Sequence, residues 1–240
     1  MDSITIILLL SALLTSIMSG TIGMGGGILL LAVMGQYFPL QVLIPLHGLI
    51  QLGSNASRVA YSYKSFDRKI SLQFALGAVL GAAIGSQLVI RIPDQWYKIG
   101  MGLFILVITF VPLPISKHKF RFKWFLVGSV STFLALFVGA TGPLIAPFYL
   151  SESWEKEVLV ATKAASQVCT HLLKVATYVF IGFAVGRYLI LLIAMLAMVF
   201  IGNYIGKLIL HRLSERWFLW AFKSLIVILS ARMIFQGVDM

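Results

Sequence analysis

The sequence has few charged residues and very few acids. Only 11% of its 240 residues are charged, whereas soluble domains carry about 25%. Hydrophobic residues make up 60% of the chain, and the mean hydropathy is +0.97. This composition excludes an ordinary soluble enzyme or a disordered chain and predicts a protein of the lipid bilayer. A single cysteine, Cys169, also excludes an internal disulfide and a cysteine-cluster metal site.

All eight acidic residues lie at the termini or in loops between the apolar segments, whereas 19 Lys and Arg give a net charge of +11. A charge embedded in a membrane is costly and normally faces a partner or a wet cavity. Because no acid is available there, the sequence favours a small visiting anion as the partner rather than nucleic acid. Lys223 and Arg232 are expected to snorkel to the surface. The embedded bases are Arg58, Lys163, Lys174, Lys223 and Arg232.

Hydropathy divides the chain into ten apolar segments, two of which are too short to cross a bilayer, since a spanning helix needs about 20 residues. The short segments, 28–38 and 143–150, each follow a break that contains glycine, at 23–27 and 139–143. Glycine and proline weaken a helix, so both breaks are predicted interruptions. The other segments are 4–20, 41–62, 70–90, 96–112, 124–140, 157–183, 187–208 and 217–236.

The two halves of the chain align with each other at a shift of 116 residues, which becomes 121 after one loop. Matches at glycine, glutamine, basic and tryptophan positions are less expected by chance than matches between apolar residues. We therefore predict a first repeat at 1–112, a basic linker at 113–123 and a second repeat at 124–240. Matched pairs include Gly26 with Gly142, Gln51 with Gln167, Arg58 with Lys174, Gly81 with Gly202 and Trp96 with Trp217.

The distribution of basic residues favours repeats of opposite orientation. If each broken segment is a re-entrant hairpin, the repeats are inverted, and 11 basic residues lie in inside loops against 3 outside. If each broken segment crosses once, the counts become 8 and 6. We predict an all-α polytopic membrane protein with two inverted-topology repeats, each a re-entrant helical hairpin plus three transmembrane helices. Both termini then lie outside, and the substrate site is expected near the midplane, as in secondary transporters.

Each repeat also carries a polar stripe on one face of a long apolar helix. The breaks would point the N-termini of the short helices at the same centre, where an anion is favoured. Interhelical hydrogen bonding is the alternative interpretation. The stripes are His47, Gln51, Asn55 and Arg58, and Lys163, Gln167, His171 and Lys174. The predicted binding residues are Gly25, Gly26, Gly27, Gln51, Asn55, Arg58, Thr141, Gly142, Gln167, His171 and Lys174.

Other glycines recur at four-residue spacing, a pattern typical of close helix packing in membranes. They are Gly77, Gly81, Gly85, Gly202 and Gly206.

The two glycine-rich breaks and the duplication resemble the TauE/SafE family of membrane anion transporters, also called the sulfite exporter family. Residues 20–27 and 139–147 carry the resemblance. A proline usually follows the glycines in that family. Pro147 matches it, whereas Leu31 occupies that position in the first half, and Thr141 replaces a usual glycine. The resemblance implies transport of sulfur-containing anions such as sulfite, thiosulfate, sulfonates or sulfoacetate-like compounds.

We therefore expect a secondary transporter in a bacterial inner membrane that works by alternating access without a cofactor, with a passive anion channel as the alternative. An enzyme is not expected, because the chain lacks H-E-x-x-H, G-x-S-x-G and an embedded pair of acids. His47 and His171 are the embedded groups that normally titrate near neutral pH, so proton coupling is favoured over sodium. A homodimer remains open.

Overall fold

A computed structural model of the chain describes residues 2–22, 25–89, 94–111, 120–152, 154–209 and 215–239. These residues form ten α-helices and no β-strand, which confirms the predicted all-α fold and its ten segments. Gly23 and most of the predicted linker lie outside the described residues. The helices are α1 (Ser3–Ile22), α2 (Gly26–Met34), α3 (Leu40–Tyr61), α4 (Arg68–Ser86), α5 (Asp94–Phe110), α6 (Lys123–Val138), α7 (Gly142–Leu150), α8 (Lys156–Phe180), α9 (Leu189–Ile209) and α10 (Glu215–Val238).

The outer faces of the helices are apolar. Leu76, Val79, Ile190 and Ile193 each expose more than half of their side-chain surface. Soluble proteins rarely expose such contiguous apolar surface, so these faces suit a lipid environment. Among the described residues, the helices long and apolar enough to cross a membrane are Ser3–Thr21, Arg68–Ser86 and Val185–Ile209, with shorter apolar helices at Gln95–Phe110 and Lys123–Val138.

The first helix of each half packs closely on the fourth helix of the other half. A Cβ atom added at Gly77 or Gly81 of α4 would collide with backbone carbonyl oxygens of α6, at Phe125 and Ser129 respectively. Since these contacts advance together along both helices, α4 and α6 run parallel. The predicted close packing at these glycines is confirmed.

The equivalent contact joins α1 and α9. A Cβ atom at Gly202 would lie 2.5 Å from the carbonyl oxygen of Leu13, and one at Gly206 would lie 2.5 Å from that of Ile17. These helices therefore also run parallel. Gly85 of α4 completes the glycine pattern, because its Cβ would lie 2.6 Å from the side chain of Leu136 on α6.

The long helices α3 and α8 form the centre of the molecule and run antiparallel. The rings of His47 and His171 lie 6.3 Å apart near the middle. Beyond the C-terminal end of α3, the backbone N–H of Asp67 donates to Thr162 Oγ1 near the start of α8, at 2.9 Å. Contacts between helices of the two halves have counterparts when the halves are exchanged. The contact of α1 with α9 corresponds to that of α6 with α4, the contact of α3 with α9 to that of α8 with α4, and the contact of α2 with α10 to that of α7 with α5. The described residues of both breaks line one cavity together with residues of α3 and α8.

Candidate anion-binding site

A cavity of about 40 Å³ lies between α3 and α8 where the two breaks meet them. A buried water needs roughly 10–15 Å³, so the cavity has room for about three waters or one small oxyanion. Most of the predicted site residues line it. They are Gly25, Gly27, His47, Gln51, Asn55, Arg58, Gly142, Gln167 and His171.

Three predicted binding residues, Gly26, Thr141 and Lys174, are not part of this wall. Conversely, Lys163 lines the cavity and is only 5% exposed, although the predicted binding set omitted it. Its position in the second polar stripe was the signal that could have identified it. The spacing along α8 thus places both lysines on the face that meets the cavity but does not tell which of the two reaches it.

Arg58 and Lys163 bring two positive charges to the cavity wall from opposite helices. The Arg58 guanidinium donates through Nη2 to Asn55 Oδ1 at 2.9 Å and through Nε to the carbonyl oxygen of Ser54 at 3.3 Å. None of the described residues that line the cavity is acidic. A basic pocket of this kind, enclosed by apolar helices, favours an anion as its ligand.

Neutral polar groups complete the cavity wall. Gln167 Nε2, His171 Nδ1 and His47 Nδ1 are buried and have no hydrogen-bond partner among the described residues. Leaving a buried polar group unsatisfied costs about 1–3 kcal/mol. A bound ligand that offers oxygen atoms would remove this cost at the amide nitrogen of Gln167.

The first break brings the N-terminus of α2 to the cavity. Gly25 has a φ of 91°, a backbone conformation that favours glycine, and it lines the cavity together with Gly27. His47 Nε2 lies 2.8 Å from the carbonyl oxygen of Gly27. Because a carbonyl can only accept, Nε2 carries the proton and His47 holds the break against α3.

The second break is held by a lysine. Gly139 has a φ of 72°, and its carbonyl oxygen accepts a hydrogen bond from Lys174 Nζ at 2.7 Å. Lys174 is completely buried, so it fixes the backbone of the break rather than lining the cavity. Thr141 Oγ1, nearby in the same break, is buried and has no hydrogen-bond partner among the described residues.

The described acidic side chains remain near helix ends. Glu152 pairs with Lys123 at 2.6 Å between Oε1 and Nζ, and Asp67 caps α4 by accepting from the N–H of Ile70 at 2.9 Å. Glu157, expected in a loop, lies in the first turn of α8, where its exposed side chain accepts from Ser65 Oγ at 3.2 Å. None of these acids lines the cavity.

Apolar helices around a basic internal cavity define a membrane transport protein as the class. The family model of the sulfite exporter TauE/SafE matches residues 8–233. The chain therefore belongs to the TauE/SafE family, and it is an integral membrane protein of a family that transports sulfur-containing anions. Comparison with curated proteins and with solved structures found no match.

Proposed function

We propose that this protein is a secondary transporter that moves a small sulfur oxyanion or organosulfonate across the membrane. The observation that carries the proposal is the pairing of Arg58 and Lys163 in a small cavity wall without an acid. Sulfite and thiosulfate suit a cavity of about 40 Å³, and the sulfo group of a larger sulfonate suits the same place.

Each part of the wall has a distinct task in binding. The Arg58 guanidinium and the Lys163 ammonium donate charge-assisted hydrogen bonds to the anion oxygens. Gln167 Nε2 supplies a neutral donor that has no partner among the described residues. The N-terminal ends of α2 and α7, at Gly26 and Gly142, add the positive ends of two helix dipoles.

The helix directions support two inverted repeats, at 1–112 and 124–240, as the basis of alternating access. Within the proposed duplication α8 is the counterpart of α3, and the two run antiparallel. The counterparts α5 and α10 also run antiparallel, because Gly102 lies against Ser230 and Gly237 against Gln95. Inverted repeats allow one half to rock against the other around a central site. A passive anion channel with the same residues is the second candidate.

The re-entrant hairpin and the membrane orientation belong to the same proposal. Both α1 and α3 run parallel to α9, so α2 and the loop after it return the chain to the side where α1 begins. The basic loops, which include Lys64, Arg68 and Lys207, then face the inside of a bacterial inner membrane. Both termini face the outside.

Proton coupling is proposed through the two central histidines. The imidazole rings of His47 and His171 lie 6.3 Å apart, and both line the cavity. Their Nδ1 atoms have no hydrogen-bond partner among the described residues, so each can take up a proton without breaking a hydrogen bond at that atom. A proton could therefore be exchanged next to the bound anion.

Uptake into proteoliposomes tests the proposal with sulfite, thiosulfate, methanesulfonate, sulfate, phosphate and acetate. We expect saturable uptake of at least one sulfur anion and a fall of at least about tenfold in kcat/KM for Arg58→Gln and for Lys163→Gln, because each removes a charge-assisted hydrogen bond. Lys223→Gln is the matched control, since Lys223 is exposed and contacts the ring of Phe110 instead.

Three results would contradict the proposal. Uptake of none of the six anions would remove the transport activity itself. Wild-type uptake by the Arg58→Gln, Lys163→Gln double variant would remove the site. Single-channel currents without saturation would favour the channel over the carrier.

A further inference from the structure

A second cavity lies at the opposite ends of the same two helices. It has a volume of about 440 Å³ and is enclosed by the N-terminal end of α3, the C-terminal end of α8 and the segment that leads into α9. The rings of Phe183 and Tyr188 stack in its wall with centroids 5.9 Å apart. Of the described residues in this wall, Arg187 alone is charged, and it is exposed.

A tight layer lies between the two cavities. Leu31 and Ile44 are fully buried, and a Cβ atom at Gly139 would lie 2.8 Å from a Cδ1 atom of each. Lys174 completes the layer through its hydrogen bond to Gly139. The Tyr178 hydroxyl, at the margin of the second cavity, donates to the carbonyl oxygen of Leu136 at 2.9 Å.

The register of α8 places Lys174 between the cavities. His171 lines the central cavity, Tyr178 lines the second one, and Lys174 lies between them on the same helical face. Seven residues of helix rise about 10 Å, so little more than the Lys174 layer separates the two spaces. Gly48 of α3 makes room for this side chain, because a Cβ atom there would lie 2.7 Å from Lys174 Cε.

We propose that the second cavity is the vestibule through which the anion reaches the central site from the α8 C-terminal side, and that Lys174 is the gate between them. This inference rests on the proposed transport function. In the closed state the Lys174 ammonium donates to the neutral carbonyl of Gly139. When the break moves, a passing anion oxygen replaces that carbonyl, so the buried charge keeps a partner throughout. Arg187 attracts the anion to the mouth of the vestibule.

The first test separates transport from binding. Lys174→Met removes the charge, keeps an apolar side chain of similar length and leaves the wall of the central cavity unchanged. We expect exchange of the anion across proteoliposomes to fall at least 100-fold, while the anion's thermal-shift affinity stays within about threefold of wild type. Loss of affinity in proportion to transport would make Lys174 a primary ligand and overturn the gate, as would exchange at the wild-type rate.

Side-specific labelling tests the barrier independently of transport. In a Cys169→Ser background, Val42→Cys reports on the vestibule and Ala164→Cys on the central cavity. Without substrate, we expect a membrane-impermeant thiol reagent to modify residue 42 only from the α8 C-terminal side and residue 164 only from the opposite side. Modification of residue 164 from both sides at rest would show that the layer is no barrier.

The vestibule charge is tested by Arg187→Gln. We expect KM to rise about threefold at low salt, with the difference lost at high ionic strength, because a distant attraction is screened. Arg187→Lys should restore the wild-type KM, and Lys98→Gln, outside the vestibule wall, should not change it. A salt-independent KM change would overturn the attraction.

Wild-type protein that moves none of the anions refutes the proposed function, whereas active wild type with an unaffected Lys174→Met refutes only the gate.

Discussion

The two glycine breaks align in sequence but are held in different ways. A Cβ atom at Gly26 would collide with the carbonyl oxygen of Thr15 and with Ser19 Oγ, because α2 packs against α1 at this point. Its counterpart Gly142 has nothing within 4 Å of that position. The first break is therefore fixed by close packing, whereas the second has free space around the start of its short helix.

The basic residues show the same division of tasks in each half. Arg58 and Lys163 bring their charges to the cavity wall, whereas His47, which also lines the cavity, and the buried Lys174 each contact a carbonyl oxygen of the break in their own half. By the alignment Arg58 corresponds to Lys174, and His47 to Lys163. The aligned positions thus differ in their contacts, and we expect the start of α7 at Gly142, which has free space around it, to be the part of the second break that moves during transport.

The largest expected effect comes from alanine at the two aligned glycines. Gly26→Ala should destabilise the protein by about 3 kcal/mol, because the methyl group collides with backbone of α1. Gly142→Ala should change stability by no more than about 0.5 kcal/mol, since its surroundings are open. Thermal unfolding in detergent measures both. Equal losses would show that the two breaks are packed alike.

The next largest expected effect, again on stability, concerns polar contacts just after the C-terminal ends of the short helices α2 and α7. Lys123 is buried and donates to Glu152 and Ser151, whereas Gln36, the aligned counterpart of Glu152, donates to the carbonyl oxygen of Leu229. Glu152→Gln should cost about 2 kcal/mol because it leaves a buried ammonium without its counter-ion. Gln36→Leu should cost only about 1 kcal/mol, although it removes the two hydrogen bonds that Nε2 donates to the carbonyl oxygens of Ala32 and Leu229, because no buried charge is left without a partner. A larger loss for Gln36→Leu in chemical unfolding would reverse the assignment.

A smaller expected effect separates two roles of His47, which are to hold the first break in place and to carry a proton. His47→Gln keeps an N–H donor near Gly27 but removes the titrating ring. We expect exchange without a pH gradient to stay within about threefold of wild type, and accumulation driven by a pH gradient to fall about tenfold. Flux measured with and without the gradient checks this. An undiminished response to the gradient would exclude His47 from proton transfer.

The smallest expected loss of stability concerns two sets of polar contacts, one between α9 and α3 and the other between α6 and α8. Asn203 Nδ2 donates to Ser54 and Ser57 on α3, while Thr170, the aligned counterpart of Ser54, pairs with Thr132 through hydroxyls 3.0 Å apart. Asn203→Ala should cost about 1 kcal/mol and Thr132→Val about 0.6 kcal/mol, typical of hydrogen bonds between membrane helices. Thermal unfolding would contradict this order if Thr132→Val were the more damaging change.

The sequence predicts the helices for physical reasons, and it places most of the residues that line the cavity on one face of α3 and of α8. Helix positions follow from apolar segments that must satisfy their backbone internally, and the polar stripes follow from helical periodicity. The sequence could not tell that Lys163 enters the cavity while Lys174 binds Gly139, because both share one face of α8. That choice depends on where the break places its carbonyl group, which is a tertiary property.

The difference in packing around Gly26 and Gly142 likewise cannot be predicted from the sequence. Both glycines occupy the same position in aligned motifs, and only the distance to a neighbouring helix separates them. The hydrogen bonds of Asn203 could not be predicted from the sequence for a similar reason. A single amide within an apolar helix has no periodic partner in its own segment, since its acceptors lie on α3, about 150 positions earlier in the chain.

The crossed pairing of α1 with α9 and of α4 with α6 affects how the molecule can be assembled. In each half the first helix makes its most extensive contact with a helix of the other half, although α1 also packs against α2 and α6 against α8. During synthesis α1 must remain in the bilayer without its final neighbour until almost the whole chain has been inserted. A polypeptide of half the length could bury the same faces only against a second chain, so the full-length chain achieves within one molecule what would otherwise require a dimer.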